Sequence, residues 1–555
     1  MTFNTPETQS AVQLTGPDTL ILNSQKPIVH PGPHQILCRV EAVGLCFSDL
    51  KLLKQFSHHA RKSVAASGIS PEVLAEVSSY VPGDAPTVPG HEVVMRIWEV
   101  GDAVQQHRPG ERYLVQTDYR WLPTAAANSA FGYNFEGALQ EFVLMDERVI
   151  TSPDGESMLI PAAEDLSASA IALVEPWACV EDAYATKERQ TLKSGGRMLI
   201  AADESIDSRA LVDCFARYGH PADIAWVSPQ PVPDALPVKP HAASLADLGD
   251  GAFDDILYCG SRAETIESLF PKLGPGGLLN LTLCGKRIDR PVATPVGRVH
   301  YGGIRIVGTT GSDPAQAMET IPATGELQAD DTVNIVGAAG PMGVMHVVRD
   351  ICLGVQNLTI CAGDLEHERL AALDRIAAPL AAANGVAFSA YDPKAGPPRK
   401  LFSYTVVMVP VAALVAEAVG RSDEQATINI FAGIPADVSV EVDLNRYAAQ
   451  RLYFIGTSGS TLADMRTVLA RVEAGALDTN LSVAAICGMA GAIDGLRAVE
   501  HRSVSGKIVV YPSCRDLGLV TLHELSSRLP AVAALLDRGL WTRAAECQLL
   551  LECGA

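Results

Sequence analysis

The chain has 555 residues, of which 48% are hydrophobic and 19% charged. This length predicts several domains, each able to bury its own core. The formal net charge of −21 argues against nucleic acid and anionic membrane surfaces as partners, because both repel an acidic protein. No signal-peptide pattern is present, and the most apolar run, residues 405–419, is too short to span a bilayer and contains Pro410 and Glu417.

Twelve cysteines are scattered along the chain, and none forms a CxxC pair. A disulfide framework and a four-cysteine zinc site are therefore not expected. The sequence predicts a reduced, cytoplasmic protein.

The first 50 residues read as short strands and turns that end in a loop around Cys46. Residues 52–86 then form a long excursion, in which Ser70-Pro71-Glu72 is typical of a helix start. We expect a helical flap near a functional site there, although a surface insertion without a role fits the sequence equally well. Residues 93–150 alternate in strand fashion between glycine-containing turns.

From about residue 193, strands and helices alternate, which is typical of a parallel sheet covered by helices. A second run of this kind starts at Thr332. Residues 304–311 and 452–459, which close the two runs, are similar, so we interpret the runs as internal copies. Residues 481–512 return to strand character, and a helical tail follows them.

A dinucleotide site is predicted at the start of the second run. A strand, a glycine-rich turn and a helix would place backbone N–H groups and a helix N-terminus against pyrophosphate. Asp364 ends the next strand and would accept hydrogen bonds from ribose, which favours NAD over NADP, although Arg369 would soften that preference. The predicted cofactor-binding residues are Gly337, Gly340, Pro341, Met342, Gly343, Asp364 and Arg369.

The corresponding turn of the first run lacks glycine. Asp203 and Glu204 stand where pyrophosphate would lie, and like charges there are unfavourable. We interpret this run as a degenerate copy with a structural or oligomeric use.

Metal-capable side chains occur in three separate segments, which contain Cys46, the pair His91-Glu92, and Glu175. A thiolate, an imidazole and carboxylates suit a mononuclear zinc with an exchangeable position. Each residue also has a structural interpretation, as a buried thiol, a core histidine or an acid at a helix N-terminus. The adjacent pair His58-His59 is a rival, but such pairs in polar loops are more often solvated.

Together with Gly132-Tyr133-Asn134-Phe135, Glu175-Pro176 and Gly340-Pro341-Met342-Gly343, these motifs resemble the zinc-dependent medium-chain dehydrogenase/reductase family. The likeness is strongest to its sorbitol dehydrogenase and sorbose-1-phosphate reductase branch, and it covers residues 30–190 and 326–513.

The resemblance implies an α/β protein with a GroES-like β-barrel catalytic domain and a doubly wound Rossmann domain. A degenerate Rossmann-like unit and a C-terminal helical hairpin are additions to ordinary members. The predicted boundaries are 1–190 for the catalytic domain, completed by 481–513, then 191–325 for the degenerate unit, 326–480 for the NAD-binding domain and 514–555 for the tail.

The resemblance also implies one catalytic zinc, held by Cys46, His91, Glu92 and Glu175. It leaves open whether each glutamate binds the metal directly or only orients its ligands. Ser48 would hydrogen-bond the substrate hydroxyl and start a proton relay, so the implied catalytic residues are Ser48, Cys46, His91 and Glu175. Relatives often carry a second, structural zinc, which is not expected here because residues 47–178 contain no cysteine.

The implied activity is hydride transfer between NAD and a secondary alcohol or ketone of a polyol, sugar or sugar derivative, by a homo-oligomer. No basic cluster stands near the motifs, so a phosphorylated sugar is only one possibility. Two alternatives stay open: a redox-neutral epimerase or lyase that oxidises its substrate transiently, and a non-catalytic nucleotide-binding scaffold. Net NADH production would separate the first from a dehydrogenase, and the intact Cys46, Ser48 and His91 argue against the second.

Overall fold

The computed structural model describes residues 5–396, 398–457 and 459–553. The chain forms two compact units, the first made of residues 1–179 and 460–555 and the second of residues 180–459. Both units combine helices with sheets, so the predicted α/β class is confirmed. Among the described residues, no helix combines the length and apolar character that a membrane span needs.

An eight-stranded sheet forms the centre of the first unit. Seven of its strands are, in spatial order, Val520–Thr521, Val483–Cys487, Lys507–Val510, Gln35–Gly44, Glu92–Val100, Arg112–Val115 and Leu159–Pro161, and Phe142–Asp146 also pairs with Gln35–Gly44. Two smaller sheets pair Thr8–Gly16 with Thr19–Pro27 and Asp118–Pro123 with Asn128–Ala130. The C-terminal part of the chain therefore returns to extend the sheet that carries the Cys46 loop.

The two central strands of this sheet are buried along most of their length, and alternate residues of each contribute to one apolar cluster. Ile36, Cys38 and Val40 on one strand lie in the same apolar cluster as Met95 and Ile97 on its neighbour. This core supports the strand ends from which the candidate ligands project.

The helices of the first unit are mostly short. Ser70 accepts a hydrogen bond from the backbone N–H of Val73 at 3.3 Å, and Pro71 is the first helical residue, so the predicted helix start is confirmed. The α-helices are Phe47–Gln55, Pro71–Glu76, Glu147–Ile150, Ala168–Ala172, Leu462–Glu473, Ala492–His501, Leu525–Arg528, Pro530–Ala533 and Arg543–Glu552, and Val174–Ala185 leads from the first unit into the second.

Two six-stranded parallel sheets form the second unit, one from each internal copy. The first has the spatial order His241–Ala242, Asp223–Val227, Arg197–Ala202, Phe253–Cys259, Leu273–Thr282 and Arg305–Thr309. The second has the order Ala387–Tyr391, Thr359–Gly363, Thr332–Val336, Phe402–Val407, Ser422–Ile430 and Tyr453–Ile455. In each copy the chain starts at the third position, runs out to one edge and then crosses to the other side, which is the doubly wound order.

The helices of this unit are Ser208–Tyr218, Ala263–Leu269, Gly297–Tyr301, Pro314–Met318, Pro341–Cys352, His367–Asn384, Ala412–Gly420 and Leu444–Ala449. The two copies share one apolar core, to which Leu279 and Ile306 contribute from the first copy and Ile428 and Phe454 from the second.

The two copies meet through equivalent short strands. The short strands Val292–Thr294 and Val440–Val442 occupy equivalent places and pair with each other in antiparallel fashion. Their register is self-complementary, because the first residue of each strand faces the last residue of the other and Ala293 faces Glu441. The internal copies thus meet as two subunits of a symmetric dimer would, through identical parts of each.

Two glycines repeat this relation deeper in the contact. A Cβ atom at Gly308 would lie 2.9 Å from the Cβ of Ala448, and one at its equivalent Gly456 would lie 3.1 Å from the Cα of His300. Each copy therefore needs a glycine for the other to approach.

The tail contains the three helices Leu525–Arg528, Pro530–Ala533 and Arg543–Glu552. A disulfide joins Cys514 to Cys553, whose Cα atoms are 5.1 Å apart. The prediction of a fully reduced chain is wrong for this pair. The sequence could not reveal it, because 39 positions separate the two residues and only the folding of the tail brings them together.

The Glu546 carboxylate holds the tail to the body of the first unit. It accepts hydrogen bonds from the backbone N–H of Ser169 at 2.8 Å, from the Ser169 hydroxyl at 2.7 Å and from the Tyr511 hydroxyl at 2.9 Å. It also accepts the backbone N–H of Ala168. Glu546 is buried, so these bonds are shielded from water.

Replacing Glu546 by alanine is expected to destabilise the protein by on the order of 3–5 kcal/mol, because several buried donors lose their acceptor. Thermal unfolding followed by circular dichroism would measure the lowered midpoint. Glu552→Ala, an exposed glutamate on the same helix, is the matched control and should leave the midpoint within about a degree. Equal midpoints for the two variants would contradict the anchoring role.

Candidate functional site

The Cys46 loop begins where the strand Gln35–Gly44 ends. Cys46 is the capping residue of the helix Phe47–Gln55, and its backbone N–H donates to the Asp49 carboxylate at 3.1 Å. The helix thus begins directly after Cys46. Local sequence therefore positions this sulfur at the start of the helix.

The same carboxylate also orients His91. Asp49 Oδ1 lies 3.0 Å from His91 Nδ1 and accepts the backbone N–H of Gly90 at 3.3 Å. Burial opposes the charged form of His91, but the Asp49 carboxylate, Tyr133 and Cys46 together outweigh burial and raise the pKa of His91 well above its usual value. With Nδ1 held in this way, Nε2 is the ring nitrogen left for a ligand, as in carboxylate–histidine–metal arrangements.

Glu92 is buried beside His91, with one oxygen in use and one without a partner. Its Oε1 accepts a hydrogen bond from Lys507 Nζ at 2.5 Å, whereas Oε2 has no hydrogen-bond partner among the described residues. A Cβ atom at Gly44 would overlap Oε2, so this glycine makes the room for the carboxylate. A buried carboxylate oxygen without a partner is unfavourable, and a cation would satisfy it.

The ligand atoms of Cys46, His91 and Glu92 all lie within 4.8 Å of one another. Ser48 Oγ is 3.0 Å from Cys46 Sγ and 3.0 Å from His91 Nε2, so the serine hydroxyl borders the same point. Thiolate, imidazole and carboxylate are donors that zinc accepts in catalytic sites. The residues present therefore fit a zinc ion.

Glu175 lies outside this group of three, in the first turn of the helix Val174–Ala185. Burial raises the pKa of Glu175 to about 7, and the Glu92 charge adds to the effect, while His91 and Lys507 oppose it. Glu175 thus shares the electrostatic environment of the cluster. Its role as a ligand stays a prediction.

The two residues of the rival pair, His58 and His59, have different surroundings. His58 is exposed, whereas the ring of His59 lies 5.1 Å from the ring of Tyr133. The Tyr133 ring in turn lies 5.8 Å from the ring of His91. The insertion that contains His59 therefore borders the metal cluster without joining it.

In the second unit, the three glycines of the predicted dinucleotide turn, Gly337, Gly340 and Gly343, have different structural roles. Gly337 has a φ of +84°, and a Cβ atom there would overlap Val409. A Cβ atom at Gly343 would lie 2.6 Å from the Ala338 carbonyl, so both glycines are required by the turn itself. At Gly340 the only heavy atom within 4.0 Å of an added Cβ is the Gly337 carbonyl oxygen, so the space above Gly340 is open for a ligand.

Gly340 caps the helix Pro341–Cys352, and Pro341 and Met342 form its first turn. Asp364 follows the neighbouring strand Thr359–Gly363, and its carboxylate accepts the backbone N–H of Ala339 at 2.9 Å. The structure therefore brings the predicted glycine turn and the predicted ribose-binding acid side by side. Arg369 lies half-buried on the next helix, His367–Asn384.

The equivalent turn of the first copy is closed by its own side chains. Asp203 Oδ2 accepts hydrogen bonds from the Tyr258 hydroxyl at 2.5 Å and from the Thr265 hydroxyl at 3.0 Å. A fixed carboxylate therefore stands in this turn, in agreement with the interpretation of the first run as a degenerate copy.

Sequence reasoning missed Asp49 and Lys507. Asp49 stands three residues after Cys46, so its capping position was a usable signal. Lys507 lies 415 positions from Glu92, and no local pattern connects the two.

Comparison with known proteins gives a consistent result. Residues 32–154 match the family described as alcohol dehydrogenase GroES-like domain. The chain is 25% identical to the uncharacterized protein YggP of Escherichia coli over 315 residues. These residues are 50% of this chain and 72% of that one.

Two relatives have named activities. A mannitol-1-phosphate 5-dehydrogenase of Aliivibrio fischeri is 22% identical over 344 residues, 54% of this chain and 78% of that one. An L-sorbose 1-phosphate reductase of Klebsiella pneumoniae is 30% identical over 154 residues, 27% of this chain and 36% of that one.

Among solved structures, the 2R,3R-butanediol dehydrogenase from Bacillus subtilis superposes with a TM-score of 0.53 at 13% identity, over 91% of this chain and 100% of that one. This likeness concerns the fold, and it confirms the predicted combination of a GroES-like domain with Rossmann-type sheets. The resemblance seen in the motifs is thus confirmed at residues 32–154, which match the GroES-like domain of alcohol dehydrogenases.

Proposed function

We propose that this protein is a zinc- and NAD-dependent oxidoreductase that transfers a hydride between NAD and a secondary alcohol or ketone of a polyol, sugar or sugar derivative. The observation that carries the proposal is the convergence of Cys46, His91 and Glu92 within 4.8 Å, with a buried carboxylate oxygen left unpartnered. A purely structural cluster would satisfy that oxygen within the protein.

Cys46, His91 and Glu92 would hold the zinc, with Glu175 as a further candidate. When bound, zinc supplies Lewis acidity that eases removal of the proton from an alcohol. Asp49 fixes the orientation of His91, and Lys507 holds one oxygen of Glu92 in place. Ser48, at 3.0 Å from both Cys46 Sγ and His91 Nε2, is placed to accept the proton of the substrate hydroxyl while its own proton passes to solvent, to which the half-buried serine is open.

The second unit would bind the nicotinamide cofactor, whose ring accepts the hydride. Gly340 leaves room for the pyrophosphate at the N-terminus of the helix Pro341–Cys352, and Asp364 stands where a ribose would be recognised. The relatives named for mannitol 1-phosphate and sorbose 1-phosphate support a polyol or sugar derivative as the substrate.

The proposal is tested by incubating the purified chain with zinc, NAD and a panel of polyols, sugar acids and sugar phosphates. Net formation of NADH, followed at 340 nm, is the expected result. Conversion of a substrate without net NADH would instead assign the site to a redox-neutral enzyme, and the absence of any conversion would overturn the proposal.

The cofactor preference follows from Asp364. We expect NAD to bind more tightly than NADP, because the carboxylate accepts ribose hydrogen bonds and repels a 2′-phosphate. Asp364→Ala should reduce the ratio of the Kd for NADP to the Kd for NAD by at least about 10-fold. Calorimetric titration with each cofactor would measure both Kd values. Glu366→Ala, a neighbouring exposed acid, is the control. A native preference for NADP would contradict the assignment.

A further inference from the structure

The insertion between Ser48 and His91 contributes a cation next to the metal cluster. The 3₁₀ turn Ala60–Lys62 places Arg61 over the ring of Tyr133, with its Cζ 5.6 Å from the ring centroid. His91 lies 5.8 Å from the same ring, centroid to centroid. Arg61 and the candidate zinc ligand His91 thus both contact one aromatic ring.

The neighbouring lysine holds this turn in place. Lys62 is fully buried, and its ammonium group donates to the carbonyls of Val81 and, at 2.9 Å, of Ala85. It also lies 5.9 Å from the ring of Phe56. The two ends of the insertion are therefore tied together, and the position of Arg61 is set by a buried group rather than by a mobile loop.

Among the described residues, the Arg61 guanidinium has no close hydrogen-bond partner. Arg112, Arg148 and Arg515 donate to carboxylates at 2.7, 2.8 and 2.6 Å. The nearest carboxylate oxygen to the Arg61 guanidinium, on Asp118, is 3.8 Å away, and among the described residues the guanidinium donates no hydrogen bond within 3.5 Å. Its side chain is 31% exposed, so a ligand can reach it.

The histidine next to this turn is not a second cation. His59, between Arg61 and Tyr133, has its pKa lowered to about 4 by burial and by the positive charges of Arg61 and Lys51, so it stays neutral and does not compete as a cation.

We propose that Arg61 is a specificity-determining residue that binds an anionic group, phosphate or carboxylate, on the polyol substrate. This inference rests on the proposed function for the site at which the substrate reacts. A planar guanidinium offers paired donors that match the oxygens of either group. The segment supplies this donor beside a cluster otherwise rich in carboxylates, where an anionic substrate would need a compensating cation.

The test compares mannitol 1-phosphate, gluconate and neutral mannitol as ligands of the zinc-loaded full chain. Calorimetric binding in the presence of NADH gives affinities without turnover, and NADH formation from NAD gives kcat and KM. We expect one of the two anionic compounds to bind at least about 10-fold tighter than mannitol. Arg61→Ala should remove that advantage by raising KM with little change in kcat, and Arg61→Lys should restore part of it.

The matched control is Lys54→Ala. Lys54 is an exposed cation on the helix Phe47–Gln55, where it pairs with Asp18 and Glu500. Its loss should leave the affinity for all three compounds unchanged. Phosphate and carboxylate are distinguished by which of the two anionic compounds depends on Arg61.

If the protein oxidises its substrate but binds the charged and neutral compounds equally well, with or without Arg61, this inference is overturned and the proposed function stands. Arg61-dependent binding without any oxidation would overturn the proposed function and leave the inference intact. Equal binding of all three compounds without oxidation would overturn both.

Discussion

Cys46→Ala is expected to lose the zinc and to abolish NADH formation. The wild-type chain should contain about one zinc, because Cys46, His91 and Glu92 are the group of potential ligands that the described residues bring together. Loss of a metal worth several kcal/mol of charge stabilisation lowers the rate by at least about 100-fold. Elemental analysis of both proteins, with activity measured on the same samples, is the measurement.

Two further variants make this result specific. Cys38→Ala removes a buried thiol from the same sheet and should keep both zinc and activity. Ser48→Ala should keep the zinc but lower kcat by about 100-fold or more, because only the proton acceptor is lost. Two tightly held zinc ions in the wild type, or an undiminished zinc content in Cys46→Ala, would refute the assignment.

Gly340→Val is expected to abolish dinucleotide binding while leaving the fold intact. The backbone at this position is extended, with φ −77° and ψ 166°, so a valine can adopt it without strain. The added side chain meets open space rather than protein, and that is the space in which pyrophosphate would lie. Calorimetric titration with NADH should show one site per chain in the wild type and an increase in Kd of at least about 100-fold in the variant.

The first copy supplies the matched control. Changing Asp203 and Glu204 to alanine should leave the stoichiometry at one and the affinity nearly unchanged, because that turn lacks the glycines that let a backbone approach phosphate. Unaltered circular dichroism of Gly340→Val would show that the fold survives. Binding that persists in Gly340→Val, or a stoichiometry near two, would assign a working cofactor site to the first copy.

Most of the fold could be predicted from the sequence, because the patterns that indicate its strands and helices are local. Strand, glycine turn and helix follow one another at residues 332–352, and the capping serine before Pro71 marks a helix start in four residues. The full six-stranded order of both copies was harder to predict, since short edge strands such as His241–Ala242 have too few residues to show a period.

The candidate site was predictable only as far as its motifs reach. Cys46 and His91 stand in recognisable segments, but the partner of Glu92 is Lys507, on a strand that enters the sheet near the end of the chain. The approach of Arg61 to Tyr133 likewise depends on how the insertion folds back, and no local pattern in the sequence indicates it. Contacts of this kind follow from topology, which spacing along the chain does not encode.

The paired strands Val292–Thr294 and Val440–Val442 have a consequence for how the second unit could diverge. When a symmetric contact joins separate chains, every substitution appears on both sides, and dilution pulls the partners apart. Here the two sides are encoded separately and tethered, so their association proceeds at a high effective concentration that does not depend on how much protein is present. One copy can therefore lack the glycines of the nucleotide turn while keeping the surface that the other copy requires.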